Sequence, residues 1–132
     1  MREADYIKEF ESRYSGTRDK SKKMDIYPPP RFSYPLVIDL AGEDVGCVYL
    51  HYDQNMRGYA VWLMYIKAYE QGRGFGTRVL RELCSLADLR SISLYLEPVP
   101  DNDSNLKFDA LVSWYRKFGF VGENAMCRTP NA

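Results

Sequence analysis

Between Gln71 and Thr77 the chain reads Gln-Gly-Arg-Gly-Phe-Gly-Thr. Alternate glycines leave the backbone amides uncovered, so an anion can approach the main chain closely. Upstream, Tyr59-Ala60-Val61-Trp62-Leu63-Met64-Tyr65-Ile66 suits a pleated strand. Downstream, Val79, Leu80, Leu83, Leu86 and Ala87 recur at helical spacing. The glycines thus fall where a strand turns into a helix. The first amides of a helix have no internal partner, and the helix dipole adds partial positive charge there. The chemistry this stretch supports is phosphate binding. Its spacing excludes two nucleotide motifs. No Lys-Ser or Lys-Thr follows the last glycine, as a nucleoside-triphosphate loop requires. A dinucleotide fingerprint would need a third glycine where Thr77 stands.

The elements that must position this loop can be read in order. With 132 residues, the chain is expected to form one domain, 1–132, with residues 1–35 as an N-terminal helix and loop. Ile7, Phe10 and Tyr14 line one face of the helix, which Ser15-Gly16 should end. Arg18-Asp19-Lys20-Ser21-Lys22-Lys23 reads as a solvated loop or as a basic lip over a phosphate-bearing ligand. Pro28-Pro29-Pro30 must be extended. Leu36–Leu40 and Val45–Tyr52 form a strand pair about an Ala41–Asp44 turn. Alternation sets Cys47, Tyr49 and His51 against Val48, Leu50 and Tyr52. After the helix, Ser91–Glu97 reads as a strand parallel to the one before the glycines. A second helix carries Leu111, Val112, Tyr115 and Phe118 and stops at Gly119; Phe120-Val121 and Ala125–Arg128 close the sheet.

Composition narrows the function classes. The formal net charge is zero, so no nucleic-acid partner is expected. The charged N-terminus lacks the apolar stretch of a signal peptide, and no apolar run is long enough to span a membrane. Cys47, Cys84 and Cys127 have no metal-ligand spacing and read as reduced thiols of a cytoplasmic protein. His51 is the lone histidine, so no metal site is expected.

Gln71, Gly74 and Gly76 meet the pattern Gln/Arg-x-x-Gly-x-Gly, and Trp114-Tyr115 is followed by Gly119-Phe120. In these two signatures, in this order and with a strand between them, the sequence resembles the GCN5-related N-acetyltransferase (GNAT) superfamily. The resemblance covers about Leu36 to the end, and the N-terminal part is abbreviated relative to the family. It implies an α/β fold with a mixed, mainly antiparallel twisted sheet, helices on both faces, and two central parallel strands that splay apart, here Trp62–Ala68 and Ser91–Glu97.

The implied co-substrate is acetyl-CoA, without a metal. Backbone groups of Tyr65, Ile66 and Lys67 would pair with the pantetheine arm. The loop Gln71, Gly72, Arg73, Gly74, Phe75, Gly76 and Thr77 would hold the pyrophosphate, with Arg73 adding a charge-assisted contact or remaining a solvated charge. The implied reaction is direct attack of a primary amine on the thioester in a ternary complex. The acceptor would be a small molecule or a protein, and the chain a monomer or homodimer. Tyr115 matches the family's proton donor to the leaving thiolate; its other reading is a core aromatic. Some members carry a basic Glu where this chain has Ala60, and an Asn where it has Phe108. Glu97, His51 and Asp53 are the candidate bases here, with Glu97 the best placed, and Asn102 and Asn105 lie nearby in sequence. The contrasting reading is a non-catalytic acyl-CoA-binding or protein-interaction module on the same fold.

Overall fold

A computed structural model describes residues 2–25, 33–53, 60–100 and 107–131. Three helices, α1 (Arg2–Glu11), α2 (Phe75–Arg90) and α3 (Phe108–Arg116), accompany five strands. The strands are β1 (Leu36–Leu40), β2 (Glu43–Asp53), β3 (Ala60–Ala68), β4 (Leu94–Leu96) and β5 (Met126–Arg128). They form one sheet in the order β1-β2-β3-β4-β5. β3 and β4 run parallel and the other neighbours antiparallel, which is the expected mixed sheet. Tyr6 and Phe10 of α1, Val79, Leu80 and Leu83 of α2, and Val112 and Tyr115 of α3 meet Val48, Leu50, Val61, Leu63, Leu94 and Leu96 in one apolar cluster.

Several boundaries differ from the sequence reading. α1 ends at Glu11, and the chain then runs beside β1: Val37 N–H donates to the Thr17 carbonyl and Asp19 N–H to that of Pro35, both at 2.8 Å. The basic segment is therefore a strap along the sheet edge. The turn after β1 is only Ala41-Gly42, both at positive φ (50° and 80°), so β2 begins already at Glu43. The expected strand Ser91–Glu97 is reduced to Leu94–Leu96. Ser91 lies in the left-handed region and caps α2, donating to the Ala87 and Asp88 carbonyls. Gly119, at φ 97°, ends the α3 segment as expected.

One irregularity in β3 matters most. Tyr49 pairs with Tyr65, but its neighbour Leu50 pairs with Leu63, so Met64 is an extra residue. Such a bulge bends the strand and shifts its alternation. Before it, Val61 and Leu63 lie in the apolar cluster; after it, Ile66 and Ala68 pack there instead. The pairing of β3 with β4 runs Val61↔Leu94, Trp62↔Tyr95, Leu63↔Leu96, and stops at the bulge.

Candidate functional site

The stretch of β3 beyond Met64 pairs with β2 along one edge, while its other edge has lost β4. Tyr69 N–H donates to the Val45 carbonyl at 3.1 Å. By the alternation of an antiparallel ladder, Lys67 and Tyr65 also direct their backbone groups toward β2. Ile66 and Ala68 then turn theirs toward the gap. Of the three residues expected to pair with an extended ligand arm, the ladder thus leaves Ile66 facing the opening and adds Ala68. Tyr65 and Lys67 flank it with their side chains, and the Lys22 ammonium of the strap sits 5.4 Å from the Tyr65 ring centroid.

The gap leads to the glycine loop. Gly72 and Gly74 adopt φ 82° and 75°, and a Cβ at either would meet open space, so backbone conformation rather than crowding calls for glycine at both. Gly74 is the N-cap of α2 and supplies no capping side chain. The first helical hydrogen bond is Arg78 N–H to the Gly74 carbonyl, 3.1 Å, so the amides of Phe75, Gly76 and Thr77 stand at the helix's open end. The first turn holds no acidic residue to satisfy them. Gly76 has a different reason: a Cβ there would lie 3.1 Å from the Trp114 ring. Trp114 therefore packs α3 against the start of α2.

Phe75 takes part in the loop through its backbone alone. Its side chain is buried in the core, leaving only its amide to the site. The ring reaches across the sheet to Gly46, where an added Cβ would be 2.5 Å from the Phe75 ring and 2.4 Å from the Lys67 carbonyl oxygen. Gly46 positions the loop, yet a glycine inside a strand pattern gave no sign of which distant ring it admits. Gln71 is exposed. Arg73 is exposed too, and is held by Glu43 at 2.8 Å and Glu70 at 3.2 Å. A phosphate at the loop must draw Arg73 from these carboxylates, at small cost for pairs this open to solvent. A cavity of about 370 Å³ flanks the loop on this side, walled by Leu40, Val45, Tyr69, Glu70 and Arg78. It does not extend to Tyr115 or Glu97.

Tyr115 is buried beside Trp114 and Phe120, with ring centroids 4.9 and 5.7 Å away. Burial pushes its phenol up to about 12, and its hydroxyl has no hydrogen bond to a described residue. It is thus a core aromatic whose phenol stays protonated at neutral pH. Glu97 is exposed one residue beyond β4, at the mouth of the gap. His51 is half-buried on β2 opposite Trp62. Asp53 ends β2, paired with Ala60. Asn102 and Asn105 lie outside the described residues. Glu97 thus stands just past the last β3–β4 pair, where the open β3 edge begins, and His51 and Asp53 lie farther back along the sheet.

A family model described as the acetyltransferase (GNAT) domain matches residues 32–122. Among solved structures, the anti-CRISPR protein AcrVA5 is similar at 15% identity and a TM-score of 0.52, over 70% of this chain and 95% of that one. AtaTR bound with acetyl-CoA is similar at 21% identity and a TM-score of 0.45, over 73% of this chain and 65% of that one. The KacTA–DNA complex matches at 17% identity and a TM-score of 0.43, over 73% and 65%. No curated protein matches the chain in sequence.

Proposed function

The chain belongs to the GNAT acetyltransferase family, and on that premise we propose that it transfers an acetyl group from acetyl-CoA to a primary amine by direct attack in a ternary complex. The observation that carries this reading is the parting of β3 and β4 at Met64, directly before a glycine loop that opens a helix. An extended pantetheine arm can complete the unpaired edge at Ile66 and Ala68, as a strand would. The amides from Gly72 to Thr77 face a pyrophosphate, and Arg73 adds a planar cation suited to it.

The amine must first lose a proton, since an alkylammonium with a pKa of about 10 is not nucleophilic. Glu97 at the mouth of the gap takes it, directly or through water. The nitrogen then forms the C–N bond at the thioester carbonyl and the C–S bond breaks. The departing sulfur receives its proton from Tyr115, whose hydroxyl stays protonated well above neutral pH, and the excess proton on the new amide nitrogen passes through water to restore that hydroxyl. Holding both substrates in one gap supplies much of the rate.

The test is thiol release from acetyl-CoA with a panel of primary amines, alongside CoA binding by calorimetry. Turnover above background with at least one amine is expected. CoA binding without turnover would favour the non-catalytic module. Gly74→Glu should abolish CoA binding, because it sets a side chain and a negative charge at the helix N-terminus; retained affinity would refute the pyrophosphate cradle.

A further inference from the structure

The two ends of an extended cofactor would be held by two different elements: the pyrophosphate by the loop and first turn of α2, the sulfur beside Tyr115 of α3. The arm between them has a fixed reach, so α3 must stand at one distance from the start of α2. A general acid must lie within hydrogen-bond reach of the atom it serves, and a displacement of about 1 Å can cost about a hundredfold in rate. Trp114 is the side chain that spans this distance. Its Cη2 and Cζ2 atoms lie 3.1 and 3.2 Å from where a Cβ of Gly76 would stand, and its ring centroid is 4.9 Å from that of Tyr115. The Phe118 ring meets it edge-on at 5.5 Å. An indole enclosed in this way, and turning about only two side-chain bonds, has little room to swing. α3 has few other anchors: of its nine residues only Val112 and Tyr115 are buried, and its N-cap, Lys107, supplies no capping side chain. Gly76 also differs from the glycines before it. Gly72 and Gly74 occupy positive φ, whereas Gly76 lies inside α2 at an ordinary one. Alanine is the better helix former at such a position and would keep the backbone amide. Only the indole stands against it.

We propose that Trp114 is a positioning residue, a strut that sets the distance between the pyrophosphate cradle and the Tyr115 hydroxyl, and that Gly76 is glycine in order to seat it. The proposal rests on the acetyltransferase reading. The first turn of α2 that holds one end of the cofactor fixes the indole, and the indole fixes the proton donor at the other end. A Cβ at residue 76 forces the indole to give by a few tenths of an ångström. With Phe118 on one side, that displacement passes to Tyr115. The hydroxyl then stands off the sulfur, and the proton transfer that accompanies C–S cleavage slows, while the amides that would bind the phosphates stay in place.

The experiment introduces Gly76→Ala into three backgrounds, wild type, Trp114→Phe and Tyr115→Phe, and measures kcat and the KM for acetyl-CoA with the primary amine that gives the fastest thiol release. In wild type the alanine should lower kcat at least tenfold and move KM less than threefold. In Trp114→Phe the smaller ring leaves room for the methyl group, and the alanine should cost less than twofold. In Tyr115→Phe the donor is already gone, and the alanine should again cost less than twofold. Non-additivity of this kind is what a residue acting through another produces. Equal losses in all three backgrounds would mean that the methyl group disturbs the phosphate site directly, and no loss in wild type would mean that the indole yields freely; either result overturns the proposal. A readout independent of turnover, and of whether Gly76→Ala folds, uses Trp62→Phe, in which Trp114 is the sole tryptophan. Its emission should change on titration with CoA and saturate at the Kd that calorimetry gives. Calorimetric binding with unchanged emission overturns the strut and leaves the acetyltransferase reading intact. Absence of CoA binding overturns that reading and the strut with it.

Discussion

Burial raises the Tyr115 phenol from its ordinary value near 10 up to about 12. The sign suits a donor: the protonated form persists through the whole range in which an amine becomes nucleophilic. The rate should therefore rise with pH as the amine deprotonates, with no falling limb assignable to Tyr115 below about pH 10. Tyr115→Phe should lower kcat about a hundredfold, within the range of general acid–base catalysis, while CoA affinity stays within about twofold. An unchanged kcat would make Tyr115 a packing residue alone. At this scale much was legible in the sequence. Gly72 and Gly74 occupy backbone conformations that side chains avoid, and that need shows in their spacing. Phe75 was not legible in the same way, because a residue between glycines gives no hint that its ring turns into the core.

At the level of elements, Gly46 joins three of them. It sits on β2, faces the Lys67 carbonyl of β3, and admits the first side chain of α2. Gly46→Ala should destabilise the fold by about 2–3 kcal/mol through overpacking against backbone that cannot yield. It should also weaken CoA binding, because the displaced Phe75 carries the loop with it. Chemical denaturation and calorimetric CoA titration measure the two effects. A fully stable variant would mean that Phe75 has another resting place. The sequence showed the strand and the glycine but not their contact, since Gly46 and Phe75 meet only after a hairpin and a long strand have folded. The same limit hid the bulge. Tyr59–Ile66 is apolar throughout, so nothing in residue type marks where its alternation shifts; only the register against β2 does. Likewise β4 read longer than it is, because the cap at Ser91 is a backbone event.

Across the whole molecule, α2 is fastened at its far end. The Arg128 guanidinium of β5, almost fully buried, grips Asp88 through two hydrogen bonds of 2.8 and 2.9 Å and donates to the Phe118 carbonyl at 2.7 Å. Arg90 holds Glu9 of α1, and the Tyr6 hydroxyl donates to the Leu83 carbonyl at 2.7 Å. Asp88 is held below the usual carboxylate range, chiefly by its hydrogen bonds from Arg128. A depressed carboxylate contributes stability that is complete above its unfolded pKa of about 3.9 and is lost as pH falls through the lower folded value. Acid should therefore loosen the clamp only below about pH 4. Asp88→Asn should cost about 2 kcal/mol at neutral pH, less than a fully buried pair because Asp88 is partly solvated, and should flatten the acid limb of the stability curve. An acid limb unchanged in the variant would place that sensitivity elsewhere. The two motifs near Gly74 and Tyr115 revealed the architecture, while this clamp, built from residues forty apart, had no local signature. The opening at the centre of the sheet has a different origin from any of these contacts. It depends on how many residues β3 contains, not on which ones they are. Removing Met64 would put the strand back in step, with Ile66 and Ala68 still on the apolar face, and let β4 run on beside it. A slit wall would become a solid one.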